Sequence, residues 1–236
     1  MTPWPGPASA LAEHTWTELD ETRPPVLLVP VGSCEQHGPH LPLDTDTRIA
    51  TAVAEGAGGR HLLCPPIAYG SSGEHQAFPG TVSVGENAMR ELLVELGRSA
   101  CTWTRRLVFV NGHGGNLAAL TAAVRLLRYE GRDTAWFPCA VSGSDPHAGA
   151  SETALLLAIE PSAVRSSRLR PGNTEPLPEL LPRLRQGALR TVSPTGVLGD
   201  PTAATAQDGA RLLAAMRAAL AAALRRWEPG PDGRLR

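Results

Sequence analysis

Hydrophobic positions along the chain fall into short unbroken runs, separated by longer stretches with helical spacing. Residues 25–32 (PVLLVPVG) are apolar throughout and end in glycine, the pattern of a strand buried on both faces. Residues 47–57 have helical spacing, and 61–67 predict a second strand. Residues 70–85 are rich in glycine and serine and predict a loop. Helical spacing returns over 87–104. A third buried strand follows at 106–110, closed by Asn111 and Gly112. Residues 117–129 predict a helix, 134–141 a fourth strand and 151–159 a helix ending before Pro161. Proline and glycine crowd 171–202, which predicts loop with one short helix. The Ala/Leu/Arg stretch at 207–227 predicts a long helix whose apolar stripe is packing surface. Apolar strands alternating with helices predict an α/β fold: one three-layer α/β/α domain spanning 1–236, around a mostly parallel central sheet. Residues 1–20 read as a Pro-rich N-terminal segment and 228–236 as a C-terminal tail. In such sheets ligands bind at the carboxyl ends of the strands.

Composition narrows the chemistry. With 236 residues, 42% of them hydrophobic, the chain is long enough for one sizeable core. A net charge of −1 and no long apolar run predict neither a nucleic-acid partner nor a membrane partner. The N-terminal residues lack the basic stretch of a signal peptide. Cysteines at 34, 64, 101 and 139 never have CxxC spacing, so they read as reduced thiols of a cytoplasmic protein. All 22 basic residues are arginines. A Schiff-base lysine, a Ser–Lys dyad and a phosphate-loop lysine are therefore excluded together. Charged chemistry must come from His, Asp, Glu, Cys or a metal.

The expected strand ends carry such groups. The first runs into Ser33-Cys34-Glu35-Gln36-His37-Gly38-Pro39-His40 and then Asp44-Thr45-Asp46. In an extended segment Glu35 and His37 point to the same side. Asp46 stands where the next helix begins and has the chemistry of a cap. The third strand ends in Asn111-Gly112-His113-Gly114-Gly115-Asn116. After the fourth comes His147-Ala148-Gly149-Ala150-Ser151-Glu152-Thr153. Three strand ends thus deliver imidazoles and carboxylates to one edge, a donor set that suits zinc, iron or manganese. Simpler readings stay open for each residue: a lone histidine in the core or on the surface, Asp46 as a cap only, and Cys34 as a small buried residue or a nucleophile. The GHGG turn reads alternatively as a phosphate cradle, though without a cationic partner.

On these motifs the sequence resembles the creatininase (creatinine amidohydrolase) family. Residues 30–46, 111–116 and 147–153 carry the resemblance, and 73–81 and 196–201 add to it, so it covers most of 25–210. Within the family the chain is most similar to the mycofactocin-system peptidases, on residues 43–54, 105–116 and 231–233. The resemblance implies a creatininase-like fold and a homo-oligomer. It implies two divalent ions per chain, zinc with iron first and manganese as the alternative. It implies a peptidase that removes a C-terminal Val–Tyr dipeptide from a modified precursor peptide of a redox cofactor. Glu35, Asp46 and His113 match the ligands of one ion; His37 and Asp46 match ligands of the second, with Asp46 shared. Creatinine-cleaving members carry an acidic ligand two residues after the histidine of the third-strand motif, where this chain has Gly115. That departure points away from creatinine and makes Glu152 the candidate to complete the second set. His147 and Glu152 are the expected catalytic residues. His40, Glu74, His75 and Asn116 are candidates for contacts to substrate or for orienting the ligands, with His40 expected on Glu35 or His37. A solvated loop pair is the simpler reading of Glu74 and His75. Two rivals are a cyclic amidohydrolase or deformylase acting on a small metabolite, and a non-catalytic metal-binding scaffold.

Overall fold

The structure is a computed structural model that describes residues 9–22, 26–59, 61–141, 143–184 and 189–236. Pro25, with which the first expected strand begins, and residues 1–8 of the N-terminal segment lie outside the described residues.

Among the described residues five parallel strands form the sheet: β1 (Ser9–Ala10), β2 (Val26–Val31), β3 (His61–Leu63), β4 (Leu107–Asn111) and β5 (Thr134–Pro138). Their order is β1-β3-β2-β4-β5. The helices are α1 (Trp16–Thr22), α2 (Thr45–Glu55), α3 (Gly85–Ala100), α4 (Leu117–Tyr129), α5 (Ala150–Ile159), α6 (Leu177–Leu184), α7 (Leu189–Val192) and α8 (Ala206–Arg226).

The unbroken apolar runs follow from two covered faces. Alternate residues of each strand enter opposite cores. On one face Leu28, Val108, Val110 and Phe137 pack with α2, α5 and α8 through Ile49, Val53, Leu155, Leu156, Met216 and Leu220. On the other, Leu27, Val29, Phe109 and Trp136 pack with α3 and α4 through Met89, Leu93, Leu120 and Leu127. A smaller cluster of Leu180, Leu189, Val192 and Leu198 anchors α6 and α7.

The order of strands reverses direction between β2 and β4: β2 connects outward to β3, and the chain then crosses to β4 on β2's other side. This is the switch point at which an open parallel sheet leaves a crevice at its carboxyl end. Gly112 lets the first turn of α2 close that crevice, since a Cβ there would lie 2.4 Å from the Asp46 carbonyl oxygen.

Several boundaries differ from the sequence expectation. The second and fourth strands end early, at Leu63 and Pro138, although the Ile67 N–H still donates to the Pro30 carbonyl. The helix expected at 87–104 ends at Ala100, and among the described residues of 171–202 helix covers Leu177–Leu184 and Leu189–Val192. Ser9–Ala10 of the N-terminal segment is an edge strand beside β3. The C-terminal residues are likewise docked: the Trp136 N–H donates to the Gly233 carbonyl, the Leu235 N–H to the Trp136 carbonyl, and Leu235 is buried.

Candidate metal centre

The carboxyl ends of β2 and β4, the start of α2 and the start of α5 converge on one buried cluster. Asp46, in the first turn of α2, has His37 Nε2 at 3.1 Å from Oδ1 and His113 Nδ1 at 3.1 Å from Oδ2. Ser33 Oγ donates to Oδ2 at 2.9 Å. Asp46 is therefore not the cap of α2. Asp44 holds that position and pairs with Arg48.

Glu35 is fully buried, and neither of its carboxylate oxygens receives a hydrogen bond. Its neighbours are imidazoles: His113 Nε2 at 3.2 Å, His75 Nε2 at 3.3 Å and His147 Nδ1 at 3.7 Å. His113 Nε2 instead hydrogen-bonds the Ser71 carbonyl at 3.0 Å. A buried carboxylate without a donor is costly, and a cation between Glu35 and the imidazoles relieves that cost. Three groups of side chains bring potential ligand atoms within 4.8 Å of one another: Glu35, Asp46 and His113; His37, Asp46 and Glu152; and Glu35, His37 and His147. The donor set and the unpartnered carboxylate fit divalent metal ions.

The tautomers suit this reading. His37 Nδ1 lies 3.2 Å from the Glu35 carbonyl, which leaves Nε2 toward Asp46. His147 Nε2 lies 2.8 Å from the Gln36 carbonyl, which leaves Nδ1 toward Glu35. Glu152 accepts from the Ala148 N–H at 2.6 Å and lies 3.8 Å from His37 Nε2.

Electrostatics sort the groups. Burial opposes charge on His37, but Asp46, Glu152 and Glu35 outweigh it and hold its pKa up to about 10. Against the same burial, Glu35 and Asp46 raise His113 well above its ordinary value. Burial also opposes charge on Asp46 and Glu35, yet the facing histidines lower both. Burial, reinforced by His37 and His75, keeps His147 neutral. Burial pushes Glu152 up to about 7 and raises Glu74.

Two readings need correction, the solvated loop for His75 and the contact expected of His40. His75 is no solvated loop residue. It is buried against Glu35, and its Nδ1 lies 2.9 Å from Gln36 Nε2. His40 contacts neither Glu35 nor His37 by hydrogen bond; its Nε2 pairs with Thr153 Oγ1 at 2.8 Å. Asn116 is a tie between loops: its Oδ1 accepts from the Ser71 N–H and its Nδ2 donates to the Gly32 carbonyl, both at 2.9 Å. Glu74 stays partly exposed, 3.9 Å from His113 Nε2. The thiol of Cys34 points to the Gly80 carbonyl, 3.7 Å away. Gln36 was missed by the sequence reading. Its amide lies within 3.0 Å of both His75 and His147, and its place between Glu35 and His37 was the available signal.

Residues 12–224 match the family model described as Creatinine amidohydrolase. Fold and site together define a hydrolase of carbon–nitrogen bonds. The chain belongs to the creatininase family. It is 56% identical, over 95% of its length and 94% of the relative's, to the mycofactocin precursor peptide peptidase of Mycobacterium tuberculosis (strain CDC 1551 / Oshkosh). It is 30% identical, over 93% of its length and 97% of the relative's, to the creatinine amidohydrolase of Pseudomonas putida. A solved structure titled "Creatininase Mn" superposes with a TM-score of 0.76 at 26% identity, covering 94% of this chain and 100% of that one.

Proposed function

We propose that the chain is a two-metal peptidase that removes the C-terminal Val–Tyr dipeptide from the modified mycofactocin precursor peptide. The similarity to the mycobacterial peptidase supports the substrate, and the buried Glu35 carboxylate without a donor carries the metal chemistry. Glu35, Asp46 and His113 would hold one ion. His37, Asp46 and Glu152 would hold the other, Asp46 belonging to both groups. The mixed nitrogen and oxygen donors suit zinc with iron, and manganese as the alternative. When bound, such ions supply Lewis acidity toward the amide carbonyl and a water whose pKa falls from about 15.7 toward about 7.

The chain's own groups do the rest. Gln36 fixes the His147 ring through its carbonyl, so His147 Nδ1 faces the centre without a proton. From there it takes up the proton released by the attacking water and passes it to the leaving nitrogen. Glu152 is kept in place by the Ala148 N–H. No helix among the described residues is long and apolar enough to cross a membrane, and all four cysteines are free. We place the enzyme in the cytoplasm as a homo-oligomer, for which exposed Trp16, Trp103 and Tyr129 offer apolar contact surface.

The test is incubation of metal-stripped and metal-reloaded protein with the modified precursor, read by mass spectrometry. Dipeptide release that returns with zinc and iron is expected. Full cleavage after exhaustive chelation overturns the metal chemistry. Hydrolysis of a formamide or cyclic amide with the peptide left intact overturns the substrate. Glu152→Gln should bind fewer than two ions, and an unchanged count removes Glu152 from the ligand set.

A further inference from the structure

Two cavities of different character meet at the centre. The smaller, about 200 Å3, lies on the Glu152 side, and its lining includes Asp46, Asp145 and Ser151. The larger, about 600 Å3, has Glu74, His75, His113 and His147 for its floor. Its wall is apolar: Leu177, Leu181 and Leu184 of α6, and Leu189 of α7.

The wall is built by helical periodicity. Leu177, Leu181 and Leu184 stand at i, i+4 and i+7, one stripe of α6. Leu180, one residue before Leu181, turns the other way and is fully buried in the cluster that anchors the segment. Leu177 and Leu181 remain 38% and 36% exposed, and Leu117 across the mouth is 41% exposed. A stripe of exposed leucine leading to an imidazole–carboxylate floor is binding surface rather than packing surface.

Size sets the occupant. A cavity of about 600 Å3 falls in the range that encloses a ligand of two residues, while one of 200 Å3 falls below it. The released dipeptide is the end of the substrate chain and fits a pocket. The acyl side continues as a longer peptide and must run out along the surface.

We infer that the leucine wall of α6 is the specificity surface for the released dipeptide, selecting uncharged branched or aromatic side chains there. This rests on the peptidase reading above. Leu181 acts by excluding water from the leaving segment and matching its apolar surface.

The test pairs kinetics with a binding measurement that needs no turnover. Leu181→Asp and Leu181→Met are compared with the parent enzyme, each reloaded with zinc and iron and checked for metal content and melting temperature. The expected result is a rise of about tenfold or more in KM for Leu181→Asp with kcat little changed, and near-parent behaviour for Leu181→Met. A serine or aspartate placed in the released segment should cost the parent enzyme about tenfold or more in kcat/KM, and that discrimination should shrink in Leu181→Asp. Calorimetric binding of free Val–Tyr should weaken in parallel. Unchanged KM and unchanged dipeptide binding in a folded, metal-loaded Leu181→Asp overturn the inference, as does a sensitivity that follows the acyl-side residues instead. If no peptide is cleaved but Val–Tyr binds the parent and not Leu181→Asp, the wall stands and the peptidase reading falls. If Val–Tyr binds neither, both fall.

Discussion

Replacing Gly115 by alanine tests how rigidly the turn after β4 is clamped. Gly115 has no positive φ, so alanine meets no backbone strain there and the effect is steric. A Cβ would stand 2.3 Å from the Ser71 carbonyl oxygen, 2.4 Å from His113 Nε2 and 2.8 Å from Glu74 Oε1. Ser71 and His113 are hydrogen-bonded to each other at 3.0 Å, so the methyl group is a wedge driven into that bond. Each must retreat by roughly 0.6–0.7 Å to reach an allowed contact, and since a displacement of about 1 Å costs about 100-fold in rate, a loss of about ten- to 100-fold is expected. Overpacking of this kind costs about 1–3 kcal/mol, which at this chain length lowers Tm by roughly 2–12 °C. Steady-state cleavage at saturating metal, ion content by mass spectrometry and a thermal melt measure the three effects. An alanine variant with full kcat, full metal content and an unshifted melt would refute the clamp and show that the loop at 70–75 yields freely.

Three further outcomes follow from the geometry of the site. Metal loading of His37 and His113 at neutral pH must displace protons, because the facing carboxylates hold His37 up to about 10 and His113 well above its ordinary range. Apparent affinity should therefore rise about tenfold per pH unit for each proton displaced, measurable by chelator competition between pH 6 and 8. In the metal-free protein the sign is opposite. The protonated His37 contributes stability that is fully present below about pH 6.5 and lost as pH climbs through about 10. Asn116→Ala strips partners from the part-buried Ser71 N–H and the buried Gly32 carbonyl, costing about 2–4 kcal/mol. A thermal melt within a degree of the parent would show that those groups find other partners.

The fold was legible where burial leaves a local imprint. β2 is apolar at every position because helices cover both its faces, and the run betrays this. The helix at 117–129 was read to the residue because its stripe faces a single core. The imidazole–carboxylate cluster was legible as a motif because Glu35, His37 and His113 follow strand ends and Asp46 opens the next helix. His75 was legible only as a candidate, because its burial is imposed by Glu35 and Gln36, some 40 residues earlier, while its immediate neighbours Glu74 and Gln76 sit in a glycine- and serine-rich stretch. His40 was misplaced for a related reason: the histidine lies within a motif, but its partner Thr153 is on α5. Ser9–Ala10 pairs through only two residues, too few for any periodicity. α6 was expected only as one short helix somewhere in 171–202, because Pro178 and Pro182 mask a leucine stripe that shows only when counted at helical spacing.

Residues 232–235, lying along β5, have a consequence that is colloidal rather than catalytic. They seal the backbone edge of the last strand, and Asp232 also accepts from the Trp136 indole N–H at 3.0 Å. A chain cut back past Leu235 would present β5 as a bare pairing template beside the uncovered Trp136, the arrangement from which edge-to-edge aggregates grow. A recombinant form should therefore keep residues 232–235 intact.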